Sequence, residues 1–366
     1  MSSDGRHRVD IDGNERLLEL DALRGIAACV VVSHHLRYMF HMAPPRFLLR
    51  PLFAGRPAVV IFFSLSGFVL SLAYWRGRAI SYPRFLIRRF FRIYLPYAAA
   101  VLIAVLIAKP LLFSNLPLTP WFYWTWHSPL TADVVARQLI LISTDSRINT
   151  AFWSLRYEME LSLVFPLLCM LIPKIRVGGA LLLGVLCVLF WYSVRTLPAH
   201  EDLKEFGRTL EWSSCFIFGA LLALKRFEIS RFYERLTGYA RFGILFVALA
   251  GLCTTSDAVL IPCSCLIIVV AQHGVAKRML RTSVPEYLGR ISYSVYLLHG
   301  TILFATFTLL YGKIPFYALV SLYLVVTFTT SHIFNRVVEE PFDRLGKRLT
   351  RKSHQSVESP LLSVRN

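Results

Sequence analysis

One apolar stretch, LLELDALRGIAACVVVSHHLRYMF over residues 17–40, carries Asp21, Arg24, His34 and His35. An ionisable group in so apolar a run is costly unless paired or hydrated, so each is a candidate for function. Arg24 and His35 are eleven residues apart. At about 100° per residue, eleven steps nearly close three turns, so the two side chains share one helix face about 16 Å apart along the axis. A histidine so placed can remove a proton and an arginine can hold an anion. His34 points about 100° away, and Asp21 can pair with Arg24 at i, i+3. A purely structural reading stays open, in which the acid–base pair ties down the helix end and the histidines are satisfied core groups.

A second set lies further along. The segment RGRAISYPRFLIRRFFRIYLP brings Arg88, Arg89 and Arg92 to the start of another apolar run. Arg89 and Arg92 stand at i, i+3 and share a face. Guanidinium forks suit phosphate oxygens, and the same cluster also fits a positive-inside signal or lipid headgroup contact. In FWSLRYEMELSLVFP, Glu158 lies roughly 9 Å inside its run. His35 lies about 7.5 Å from the outer end of its own run. The two can meet at one depth, where a carboxylate orients and polarises a histidine base. The competing reading of Glu158 is a structural ion pair. Glu160 is set to pair with Arg156 at i, i+4.

Apolar helices have to position these groups. Of 366 residues, 55% are hydrophobic and only 17% charged, against about a quarter charged in soluble domains. Several apolar runs reach about 18 to 22 residues, enough to span some 30 Å of hydrocarbon. The expectation is an all-α, polytopic membrane protein with about ten transmembrane helices, near 17–40, 57–75, 93–113, 152–173, 178–196, 209–224, 242–256, 258–272, 291–311 and 314–335. Residues 1–16 form a cytoplasmic N-terminal segment without features of a secretory signal. Residues 17–349 form the membrane domain, and 350–366 a short cytoplasmic tail. No second soluble domain and no fixed-period repeat is expected.

Lys and Arg number 40 against 22 acidic residues, a net charge of +18. In a soluble chain that would suggest nucleic acid. Sorted along the predicted loops, the segments on one side carry roughly three times as many Lys and Arg as those on the other, which places both termini in the cytoplasm. The basic excess then requires no nucleic acid. The seven cysteines match no zinc or disulfide spacing, and no metal is expected. The longest outer connection, 114–151, contains Trp121, Phe122, Tyr123, Trp124 and Trp126. It reads either as an interfacial aromatic belt or as a platform for sugar rings.

Taken together, these motifs resemble the acyltransferase 3 family of integral membrane O-acyltransferases, of the exopolysaccharide and O-antigen acetyltransferase type. The resemblance covers about residues 17–349. It rests on LDALRGIAACVVVSHH with Arg24 and His35, and on FFSLSGFVLS with Ser64, Ser66 and Gly67. The pair Arg89 and Arg92 follows, then FWSLRYEMELS with Trp153, Ser154 and Glu158, then LGRISYSVYLLHG and VEEPFDRL. Two departures stand out. His34 occupies a position usually apolar or aromatic, and Arg156–Tyr157 replace small or apolar residues.

The resemblance implies acyl-CoA, expected to be acetyl-CoA, as donor on the cytoplasmic side. Its acceptor would be a hydroxyl of a cell-surface or exported polysaccharide or its lipid-linked precursor, in the bacterial inner membrane. Arg24, Arg88, Arg89 and Arg92 would meet the coenzyme phosphates, and His35 with Glu158 would act on the acceptor hydroxyl. Ser64, Ser66, Trp153, Tyr293 and His299 would line the passage, although Ser66 and Gly67 equally suit close helix packing. Two other functions compete: proton-coupled export of a polysaccharide unit, and O-acylation of a small molecule such as a macrolide or a lipid. Oligomeric state is not legible.

Overall fold

The computed structural model describes residues 17–40, 47–75, 81–142, 145, 147–198 and 201–351. Among them every regular element is helical. The elements are α1 (Leu18–Met39), α2 (Gly55–Trp75), α3 (Tyr82–Arg89), α4 (Leu95–Ala108), α5 (Ala132–Leu139), α6 (Trp153–Leu171), α7 (Arg176–Val194) and α8 (Glu201–Leu224). Then follow α9 (Arg226–Arg235), α10 (Gly238–Gly251), α11 (Asp257–Ala271), α12 (Gly274–Leu280), α13 (Ser283–Leu310), α14 (Phe316–Phe334) and α15 (Glu340–Thr350). The segment 1–16 and the tail from 352 lie outside the described residues.

Each predicted apolar stretch contains one of these helices. Five are long and apolar enough to cross a membrane by themselves: Gly55–Trp75, Tyr82–Leu111, Arg176–Val194, Ser283–Leu310 and Phe316–Thr350. The pair α11 and α12, bent by 81°, makes a sixth if it counts as one span. The expected ten exceeds that number for physical reasons. Helices α1, α6 and α8 carry the charged side chains that give the chain its chemistry, and α10 has 14 residues.

Two boundaries differ from expectation. The third stretch begins at Tyr82, so Arg88 and Arg89 sit on a helix and not in a loop. It is one 30-residue rod, interrupted by a π-helical turn at Phe90–Tyr94. The last stretch likewise continues to Thr350 through a π-helical turn at Asn335–Glu339. Single π turns widen a helix by one residue and turn side chains out of the ordinary register.

Two apolar clusters fill the interior. One joins α2, α6, α7, α8, α10 and α11. The other joins α1, α4, α13, α14 and the connection between α4 and α6. Helices approach most closely where side chains vanish, the small-residue packing usual in membranes. A Cβ on Gly25 would collide with the backbone of Leu288 and Gly289, and one on Gly289 with Asp21 and Ala22. Helices α1 and α13 therefore touch backbone to backbone. A Cβ on Gly67 would strike Phe216, and one on Gly219 would strike Ser64 and Phe68. That pair seals α2 to α8.

Candidate active site

The contact of α1 with α13 puts two histidines face to face. Gly25 lies against Gly289, and His35 lies against His299, ten residues further on in each helix. The helices thus run parallel in fixed register. His35 Nδ1 and His299 Nε2 are 3.0 Å apart, both side chains buried. His299 Nδ1 lies 3.0 Å from the carbonyl oxygens of Val295 and of Tyr296.

The proton positions follow by elimination. Carbonyl oxygens only accept, so His299 Nδ1 donates. A neutral His299 then offers Nε2 as an acceptor, and His35 Nδ1 donates to it. In this neutral pair His35 keeps the lone pair on Nε2. A ring held in one tautomer with its free nitrogen unprotonated is the arrangement a general base requires.

His34 is engaged elsewhere. Its Nδ1 lies 2.9 Å from the Phe53 carbonyl oxygen. Gly55 is packed so closely that a Cβ there would touch the His34 ring. The departure at position 34 thus anchors the connection that leads into α2. The two neighbouring histidines are separated by partner, one bound to a loop carbonyl and one to another imidazole.

The expected pairing of Glu158 with His35 is not what the structure builds. Glu158, on α6, accepts a hydrogen bond from Ser66 Oγ at 3.4 Å. It stands within electrostatic reach of Arg89 and Tyr293. The glycine contacts that set α1 against α13 bring His299 to His35. Tyr296 lies between the two sets, in electrostatic reach of Glu158, with its ring 5.9 Å from His299. Its hydroxyl is 2.6 Å from Ser154 Oγ and donates to the Ala151 carbonyl at 3.2 Å.

The arginines divide. Arg89 Nη2 donates to Ser162 Oγ at 2.7 Å. Its charge neighbours are Glu158, Arg92, Arg24 and Tyr293. Its Nε is buried without a hydrogen-bond partner. Arg24, Arg89 and Arg92 therefore stand close to one another from three helical segments. Arg88 also reaches a distant helix. Its Nε donates to Thr350 Oγ1 at 2.8 Å, bracing α3 against α15. Adjacent helical residues differ by about 100°, so Arg88 and Arg89 leave the helix in different directions.

Both π turns border this cluster. Tyr293 donates from its hydroxyl to the Ile93 carbonyl at 2.8 Å, inside the first π turn. Glu339, in the second, accepts from Ser294 Oγ at 2.6 Å and stands within electrostatic reach of Arg92. Sequence reading had singled out VEEPFDRL without assigning Glu339 a place. Its only sequence signal is an acidic residue at the end of a long apolar run.

The remaining passage residues fall in two groups. Tyr293, His299 and Ser66 touch the site. Ser64 is buried, its Oγ lies 2.7 Å from Ser264 Oγ, and its carbonyl meets Gly219. Trp153 packs on Trp212, with ring centroids 5.7 Å apart, and on Tyr157 at 6.1 Å. Both belong to the packing of α2, α6, α8 and α11, since the face of α2 that carries Ser64 is the one that meets α8.

A charged network that sequence reading missed supports that packing. Arg56 donates to both oxygens of Asp257, at 2.9 and 2.6 Å, and to Glu211 at 2.9 Å. Glu211 and Asp257 are buried, and the Arg56 guanidinium lies 5.0 Å from the centre of the Trp212 ring. Acidic residues at the edges of apolar runs were the available signal. The expected Arg156–Glu160 pair is present at 2.8 Å and extends to Glu205 at 3.3 Å.

Residues 119–126 of the connection between α4 and α6 form a roof against α1 and α13. Phe122 and Trp126 are buried against Phe304, whereas Trp124 is 64% exposed. Trp121 lies over His35, ring centroids 5.4 Å apart. Within the aromatic run Trp121, Phe122 and Trp126 turn towards the bundle, whereas Tyr123 and Trp124 are exposed.

With this geometry in hand, similarity to known proteins can be stated. A family model described as an acyltransferase domain matches residues 17–336. Acyltransferase MdmB from Streptomyces mycarofaciens is 28% identical over 375 residues, covering 91% of this chain and 93% of that protein. Nodulation protein 10 from Rhizobium leguminosarum bv. viciae is 25% identical over 232 residues, covering 58% of this chain and 61% of that protein. No solved structure matches the chain.

Proposed function

The chain belongs to the acyltransferase 3 family, and on that premise we propose that it transfers an acyl group from acyl-CoA to a hydroxyl of a glycan within a multi-pass membrane domain. The observation that carries this reading is the pairing of His35 with His299. It leaves a base lone pair about 16 Å, along one helix, from an arginine cluster suited to phosphates.

The coenzyme's phosphate-bearing end is placed at Arg24, Arg89 and Arg92, with Glu158 and Glu339 holding the guanidinium groups in position. Its flexible arm then runs along α1, so that the thioester approaches His35. His35 Nε2 takes the acceptor hydroxyl proton as the oxygen attacks the thioester carbonyl. The acyl C–O bond forms, the C–S bond breaks, and the thiolate leaves, to be protonated from the imidazolium. His299 accepts the His35 Nδ1 hydrogen bond throughout and is a positioning residue. An acyl-histidine intermediate is the alternative sequence of the same bonds.

In this reading the chain crosses the bacterial inner membrane ten times with both termini inside. The acyl group is acetyl, and the acceptor is an exported polysaccharide or its lipid-linked precursor. The test is mass spectrometry of surface glycans from cells with and without the gene, and from cells carrying His35→Ala. Loss of one acetyl mass per modified residue in the last two is expected. Normal acetylation with His35→Ala, in cells that insert the variant normally, overturns the mechanism.

A further inference from the structure

The outer end of α1 holds side chains that the transfer chemistry leaves unused. Trp121 covers His35 and faces Tyr38, whose ring centroid is 6.2 Å away. Tyr38 is 42% exposed. The Arg37 guanidinium lies over the Tyr38 ring, 4.9 Å from its centre. Among the described residues Arg37 forms no ion pair, and its Nε is buried without a partner. Imidazole, indole, phenol and guanidinium therefore follow one another from the buried base to the exposed end of the helix.

This wall is fixed. Thr119 Oγ1 donates to the Tyr38 carbonyl at 2.8 Å, which ties the roof to α1. Trp121 also rests on Phe304, with centroids 5.5 Å apart. Asn149, in the same connection, donates to Thr301 Oγ1 at 2.9 Å and to the Leu297 carbonyl at 3.2 Å. The roof is thus bound to both helices that carry the histidines, and Trp121 is packed between His35 and Phe304.

Flat aromatic faces with polar rims bind molecules that have an apolar ring face and hydroxyl edges. An arginine without a carboxylate of its own recognises an anionic oxygen group. We infer that Trp121, Tyr38 and Arg37 form the acceptor subsite, and that it takes a sugar ring bearing an anionic substituent such as a uronate carboxylate. The inference rests on His35 as the base, because Trp121 adjoins that imidazole, ring centroids 5.4 Å apart.

The test separates binding from transfer. Full-length protein in detergent is titrated, without any donor, with methyl glucoside and with methyl glucuronide. Contact is read by saturation-transfer NMR from protein to the sugar ring protons. Both sugars are expected to bind, the glucuronide more tightly. Trp121→Ala should weaken both about tenfold, and Trp121→Phe should restore most of the loss. Arg37→Gln should weaken only the glucuronide, by about tenfold. Equal binding of the two sugars to the unmodified protein, no binding of either, or a Trp121→Ala protein that binds as the parent, overturns the proposal. A separate incubation with acetyl-CoA reads transfer: binding without transfer counts against the acyl-CoA reading and leaves the subsite standing.

Discussion

His35 Nδ1 meets His299 Nε2 at 3.0 Å, across two parallel helices that touch at Gly25 and Gly289. One consequence concerns catalysis. His299→Phe removes the acceptor that fixes the His35 tautomer. Turnover is expected to fall about 10- to 100-fold, with the KM for acyl-CoA unchanged, as for loss of other groups that orient a functional histidine. His299→Gln, which retains an acceptor oxygen, should recover part of the loss. Equal damage from both variants at unchanged folding would make the contact one of packing only.

The two adjacent histidines should separate cleanly. His34→Asn can still donate to the Phe53 carbonyl and is expected to keep most of the activity. His35→Asn is expected to keep none. Activity assays on equal amounts of inserted protein check both.

Arg88 and Arg89 provide a matched pair, since they are neighbours with different partners. Arg89→Ala and Arg92→Ala are each expected to weaken acyl-CoA binding about tenfold or more, the size of a charge-assisted hydrogen bond. Arg88→Ala should leave it unchanged and reduce thermal stability slightly. Calorimetric titration in detergent measures the first effect and a melting curve the second.

Glu158 is expected to act on the donor. Glu158→Gln removes the charge that balances Arg89 and should raise the KM for acyl-CoA. The pH dependence of turnover, set by His35, should not move. A displaced pH profile at constant donor KM would return Glu158 to the histidine.

Arg56 holds two buried carboxylates, so its removal leaves them without compensation. Arg56→Ala is expected to lower the melting temperature markedly, and the double variant Arg56→Ala/Glu211→Ala to recover part of the loss. A double variant less stable than Arg56→Ala alone would show that Glu211 does more than answer Arg56.

The sequence by itself determined the apolar helices, the shared face of Arg24 and His35, and the i, i+4 pairing of Arg156 with Glu160. Those features depend on spacing within one helix, and helical periodicity is local. It also identified the family, because the motifs recur in order along the chain. What partners each of those groups was decided by tertiary structure. His35 is bonded to His299 and not to Glu158, because glycine contacts set the register of α1 against α13. Arg88 braces α3 against α15 through Thr350, a partner too distant in sequence for local spacing to reveal. Ser64 meets Ser264 and Gly219, and Trp153 packs on Trp212, because the neighbouring helix decides which face of α2 or α6 is covered. Trp121 reached His35 through a roof whose path no local pattern encodes. A residue's type and helical position can be read in one dimension, whereas its partner depends on which helices lie close enough to touch.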